Sequence, residues 1–133
     1  MAANPVLTAA VGAALSAQVL KFLLFYWRRR RARWERLVGP GGMPSAHAAM
    51  VSALAAGTAR RYGPQSAAFA VAAVVALIVL YDAVGVRRAV GIHAQALNRL
   101  ARDGERRLSE SVGHTPYEVL VGTLWGIAWA LWL

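Results

Sequence analysis

The sequence predicts an all-α membrane protein: about four transmembrane or re-entrant helices plus one interfacial helix, in a single domain over residues 1–133. Three observations carry that prediction. Of the 133 residues, 58% are hydrophobic and only 16% are charged, and a soluble domain of this size has too little interior to hide so much apolar surface. Apolar runs long enough to span ~30 Å of hydrocarbon recur along the chain. The net charge of +9 is gathered mainly into two arginine clusters, the pattern of loops that meet anionic headgroups. The same clustering argues against general nucleic-acid affinity and makes anionic membrane lipids the expected partners. With no cysteine in the chain, disulfides and thiol chemistry are excluded.

The first helix is expected over residues 5–27, a mostly apolar run holding Gln18 and Lys21. No Lys or Arg precedes it, so it lacks the basic start of a secretory signal and reads as a retained helix. Arg28-Arg29-Arg30-Arg31-Ala32-Arg33-Trp34 follows as a basic interfacial segment, flanked by Trp27. Residues 45–60 form a short, Ala-rich helix that is tilted, thins the bilayer or is re-entrant. Residues 66–86 form the next span, with Asp82 near its end. Residues 89–108 are polar and basic, a surface helix on the headgroups. Thr115-Pro116-Tyr117-Glu118 opens the last helix, 116–133, with Thr at the N-cap, Pro at the first position and Glu at the third, a capping box with a proline start. The five tryptophans read as belt and lipid-facing residues.

Charge then sets orientation. Loops 28–42 and 87–113 hold 12 of the 15 Lys+Arg. The positive-inside rule places both in the cytoplasm and both termini outside, in a multi-pass inner-membrane protein. That topology gathers the unusual residues at one depth. Lys21 and Arg28, two helical turns apart, share a face of the first helix. Gly41-Gly42-Met43-Pro44-Ser45-Ala46-His47 opens the second, Asp82, Arg87 and Arg88 end the third, and His114 and Glu118 open the last. Helix starts and arginine forks favour a phosphate, and two histidines can divide the work of nucleophile and acid.

Pro44-Ser45-Ala46-His47 resembles the P-S-G-H element of the type 2 phosphatidic acid phosphatase (PAP2) superfamily, which includes vanadium haloperoxidases. Gly113-His114-Thr115-Pro116-Tyr117-Glu118, followed by Val119 to Gly122, is similar to its third element, and Lys21 to Arg28 has the spacing of its first. More closely, G-G-M-P-S-x-H, Tyr81 to Arg88, Gln95 to Asn98 and Gly113 to Pro116 resemble the divergent members of that superfamily, small bacterial and plastid membrane proteins. The resemblance covers nearly all of residues 15–126 and implies a reduced PAP2-like bundle acting on a lipid phosphate. It gives His114 the role of nucleophile, oriented by Glu118, and His47 that of general acid. Lys21, Arg28, Ser45 and one of Arg87 and Arg88 would hold the phosphate, with Asp82 in support. It implies neither a metal nor any other cofactor.

The chain departs from the superfamily pattern at Arg29, where proline is usual, at Ala46 for glycine, at Val86 for serine and at Glu118 for aspartate. The arginine and histidine of the third element are separated by the whole 89–113 segment. Arg87 to His93 restores the spacing, but Leu97 then stands where a carboxylate is needed, so His114 is preferred. Four spans are fewer than the superfamily's usual six, and a homo-oligomer could supply missing walls. Plainer roles stay open: Glu118 as capping partner alone, Lys21 snorkelling to the interface, Asp82 in an ion pair with Arg87 or Arg88, and the 28–31 arginines on headgroups. Against lipid-phosphate hydrolysis stand a non-catalytic binder or carrier of anionic headgroups and a purely structural subunit.

Overall fold

The computed structural model describes residues 4–29, 42–101, 107–110 and 112–133, with only the backbone of Arg28 and Arg29. The basic segment from 30 to 41, with Trp34, lies outside the described residues. Five helices and no strand appear among the described residues: α1 (Pro5–Arg29), α2 (Ala46–Tyr62), α3 (Ala67–Val84), α4 (Val86–Leu100) and α5 (Pro116–Trp132). The chain is an all-α membrane protein.

The short helix α2 is the centre of the bundle, packed against α1, α3 and α5. Its composition explains this. Ala48, Ala49, Ser52, Ala53, Gly57 and Thr58 are buried, and such small residues let neighbouring backbones approach closely. The facing stripe of α5 is Gly122, Gly126 and Ala130, spaced by four residues and buried. A Cβ at Gly122 would run into Ser45 O, and one at Gly126 into Ala49 O. Ala13 and Ala17 of α1 close the cluster with Ala49, Ala53 and Ala130.

Large apolar side chains point the other way. Leu15, Val19, Leu77, Ile78, Leu124 and Leu131 are all more than half exposed. In hydrocarbon a leucine gains nothing by turning inward, so close backbone packing takes the interior. Helix ends are satisfied locally: Ser45, Ser66 and Thr115 cap α2, α3 and α5 through their side chains. At the far end of α5, Arg60 Nη1 donates to Ala130 O at 3.0 Å and to Leu131 O at 2.9 Å, where carbonyls lack helical partners.

Three expectations are corrected. The third span ends at Val84 rather than at 86, because Gly85 (φ −96°, ψ −91°) leaves helical geometry and turns the chain. The following helix therefore starts at Val86 and closes at Leu100 instead of covering 89–108. Asn98 enforces that stop: its amide donates to Leu108 O and accepts from Leu108 N–H, both at 2.8 Å, folding 107–110 back along α4. Finally, not every tryptophan is a belt residue. Trp27 and Trp132 are largely exposed, but Trp125 and Trp129 pack on the small-residue core, with Trp125 Nε1 donating to Ser16 Oγ at 2.9 Å.

Candidate functional site

The site begins with two backbone hydrogen bonds that join three helix ends. His114 N–H donates to Ala83 O at 3.2 Å, and Ser45 N–H donates to Glu118 O at 3.3 Å. Ala83 lies in the last turn of α3, where carbonyls have run out of helical donors. Gly113, at φ +93°, sits directly on the Arg87–Arg88 backbone. The start of α2, the α3–α4 corner and the start of α5 are thus fastened together, and His114 is carried at the joint.

The His114 side chain is largely buried, and its Nδ1 makes no hydrogen bond. It faces Glu118 Oε2 at 3.6 Å, within ion-pair range but longer than a hydrogen bond. The same Oε2 accepts Thr115 N–H at 2.9 Å, while Thr115 Oγ1 accepts Glu118 N–H at 3.3 Å. Glu118 therefore completes the capping box and holds its carboxylate toward the imidazole.

Burial lowers the pKa of His114 below its ordinary 6.5, because a low-dielectric setting disfavours the charged ring. The Glu118 carboxylate pulls it back up, and His47, Lys21 and Arg87 each push it further down. Those three cationic or ionisable groups, from three different helices, therefore act on one imidazole.

Other predicted residues take varied places. Lys21 is half-buried, with its stem against Gly42, where a Cβ would stand 3.2 Å from Lys21 Cδ. His47 is exposed on the first turn of α2. Ser45 is fully buried, and its hydroxyl accepts Ala48 N–H at 3.4 Å. Arg87 Nε donates to Asp82 Oδ2, the expected ion pair. The side chain of Arg28 lies outside the described residues.

A groove of about 430 Å³ opens beside His114, lined among others by Arg88, Gly91, Gln95, Glu110 and Glu118. Gln95 and Glu110 carried no chemistry in the sequence reading. The signal available was the polar stripe of α4, where Gln95 follows Arg88 by two helical turns.

The comparisons with known proteins bear on this geometry directly. A model of the Divergent PAP2 family matches residues 2–129. The chain belongs to the divergent PAP2 family. A relative, the uncharacterized membrane protein YuiD of Bacillus subtilis (strain 168), is 35% identical over 139 residues, covering 91% of this chain and 88% of its own. No solved structure matches the chain. The family resemblance read from the sequence is therefore correct, and the motifs that carried it, around Ser45, Arg87 and His114, are the ones the backbone fastens together.

The direction of the His114 shift gives a pH dependence for a divergent PAP2 protein that needs this ring neutral. With the folded pKa below the unfolded 6.5, the contribution of this ring to stability is complete above pH 6.5 and is lost as pH falls below it. Any activity that needs a neutral His114 has its acid limb below 6.5, and Glu118→Gln, which removes the one group raising the pKa, should move that limb lower still. A pH–rate profile of both proteins measures this, and an acid limb that moves upward in the variant contradicts it.

Proposed function

We propose that this protein hydrolyses a phosphomonoester or diphosphate on a lipid of phospholipid or polyprenyl type, through a phosphohistidine on His114, at the cytoplasmic face of the membrane. Family membership supports phosphatase-related chemistry. The observation that carries the reading is the His114–Glu118 pair held at the α3–α4–α5 joint, with His47, Lys21 and Arg87 close enough to lower the His114 pKa.

A neutral imidazole whose Nδ1 proton is directed at Glu118 presents the lone pair of Nε2. That nitrogen attacks phosphorus while the bond from phosphorus to the lipid oxygen breaks. His47 gives its proton to the leaving oxygen, so the lipid departs as an alcohol. Water, giving its proton to His47, then attacks the phosphohistidine and releases inorganic phosphate, which restores both histidines. Lys21, Arg88 and the N–H groups opening α2 and α5 offset charge on the phosphoryl oxygens.

Phosphate release from a panel of lipid phosphates, with and without vanadate, tests the reading. Release that vanadate blocks is expected, since vanadate adopts the five-coordinate geometry of the transferring phosphoryl group. No release from any lipid by folded protein sinks it. One observation favours binding without chemistry: His47 does not line the His114 groove. Tight retention of a lipid phosphate without release would select that alternative.

A further inference from the structure

Arg88, Gln95 and Arg99 follow one another along α4 at spacings of seven and four residues, so they leave one face of the helix. Two hollows lie along that face. The first is the groove at His114. The second, of about 530 Å³, is lined by Gln95, Asn98, Arg99, Arg107 and Glu110. Gln95 and Glu110 belong to both, so the two adjoin as one trough leading away from His114.

The far end of the trough is cationic. Arg99 and Arg107 are exposed there, and neither is in an ion pair among the described residues. The acid that lines this end, Glu110, has Oε1 engaged by Asn98 Nδ2 at 2.8 Å. Asn98 is itself buried and also fixes Leu108, so this wall is built by side-chain hydrogen bonds and not by loosely placed surface charge. On its other side α4 exposes Val86, Val90, Leu97 and Leu100. The helix is divided between an apolar face suited to lipid and a polar face turned to the trough.

We infer that the trough is a second anion subsite: the ligand held at His114 carries a further anionic group, and Arg99 and Arg107 bind it. This deepens the phosphate-site reading of His114 and rests on it. Arg88 and Arg99 are separated along the helix axis by ~16 Å. The directly linked phosphates of a diphosphate are far too close to occupy both ends. The favoured substrate is therefore a lipid phosphate with a second phosphate, or comparable anion, across a spacer of about hexyl length, with the long arginine side chains reaching inward over the rest. Arginine forks suit such a group, giving charge-assisted bonds to two oxygens at once.

Equilibrium binding by the full chain in detergent, measured calorimetrically with hexyl phosphate and hexanediol bisphosphate, tests the subsite. The wild-type protein should bind the bisphosphate about tenfold more tightly, well beyond the statistical doubling for two equivalent phosphates. Arg99→Gln combined with Arg107→Gln should remove that advantage and leave hexyl phosphate binding unchanged. Equal affinity for the two ligands, or an advantage that survives the double substitution, overturns the subsite. Binding needs no turnover, so the two readings fail separately. A protein that prefers the bisphosphate yet releases no phosphate keeps the subsite and loses the hydrolytic mechanism. One that releases phosphate without the preference does the reverse, and one that binds neither ligand loses both.

Discussion

On the proposed mechanism, His114→Ala is expected to abolish phosphate release, by on the order of 10⁴-fold or more, since removing a covalent nucleophile leaves only binding and charge stabilisation. The fold should survive. The buried Nδ1 of the imidazole makes no hydrogen bond, and the backbone bond from residue 114 to Ala83 O does not depend on the side chain. Thermal unfolding in detergent, run beside the phosphate assay, separates inactivity from collapse. His47→Ala should lose roughly 10²- to 10⁴-fold, the usual contribution of a general acid, again without unfolding, because His47 is exposed. Glu118→Gln is the sharper comparison. Glutamine keeps an acceptor for Thr115 N–H and so preserves the cap, but it removes the charge facing Nδ1. A fully active Glu118→Gln protein with its acid limb unmoved would reduce Glu118 to a capping residue.

The parts of this molecule that were legible in its sequence are those set by neighbours a few residues away. Thr115-Pro116-Tyr117-Glu118 was readable as a capping box because the whole motif lies within one turn, and the structure has both of its hydrogen bonds. The Asp82 ion pair was readable because a carboxylate within a span needs a partner and two arginines follow it. The break at Gly85 was not legible: a glycine in an apolar run costs a helix only about 1 kcal/mol, so the periodic pattern runs through it. Asn98 was illegible for a different reason. Its partners, Leu108 and Glu110, lie ten and twelve residues on, with a loop between, and no local rule relates them. Trp125 and Trp129 differ from Trp27 only in what stands opposite. Glycine and alanine on α1 and α2 leave room for an indole, and a composition argument sees only the indole. The second hollow along α4 needed the fold as well, since the Asn98 clamp on Leu108 brings Arg107 to the same hollow as Arg99.

Gly113→Ala is expected to slow the reaction without removing any reacting group, acting through geometry alone. At φ +93° an L-residue is strained wherever it stands. Here the added methyl would also lie 2.5 Å from Arg88 N and 2.6 Å from Arg87 C and Arg88 Cα. These are backbone atoms at the start of α4, with no rotamer to yield. Relief requires the 112–114 segment to lift off the α3–α4 corner, which breaks the bond from His114 N–H to Ala83 O and moves the imidazole relative to Arg88 and Lys21. Misplacement by about 1 Å can cost ~10²-fold in rate, and overpacking with strain should lower stability by roughly 1–3 kcal/mol. The readouts are the phosphate assay, the unfolding midpoint and phosphate affinity. A structural glycine would lower the midpoint and the fraction of active protein but leave kcat per folded molecule intact. A glycine that positions the nucleophile lowers kcat in the protein that remains folded, and Gly113→Ala is expected to show the second pattern.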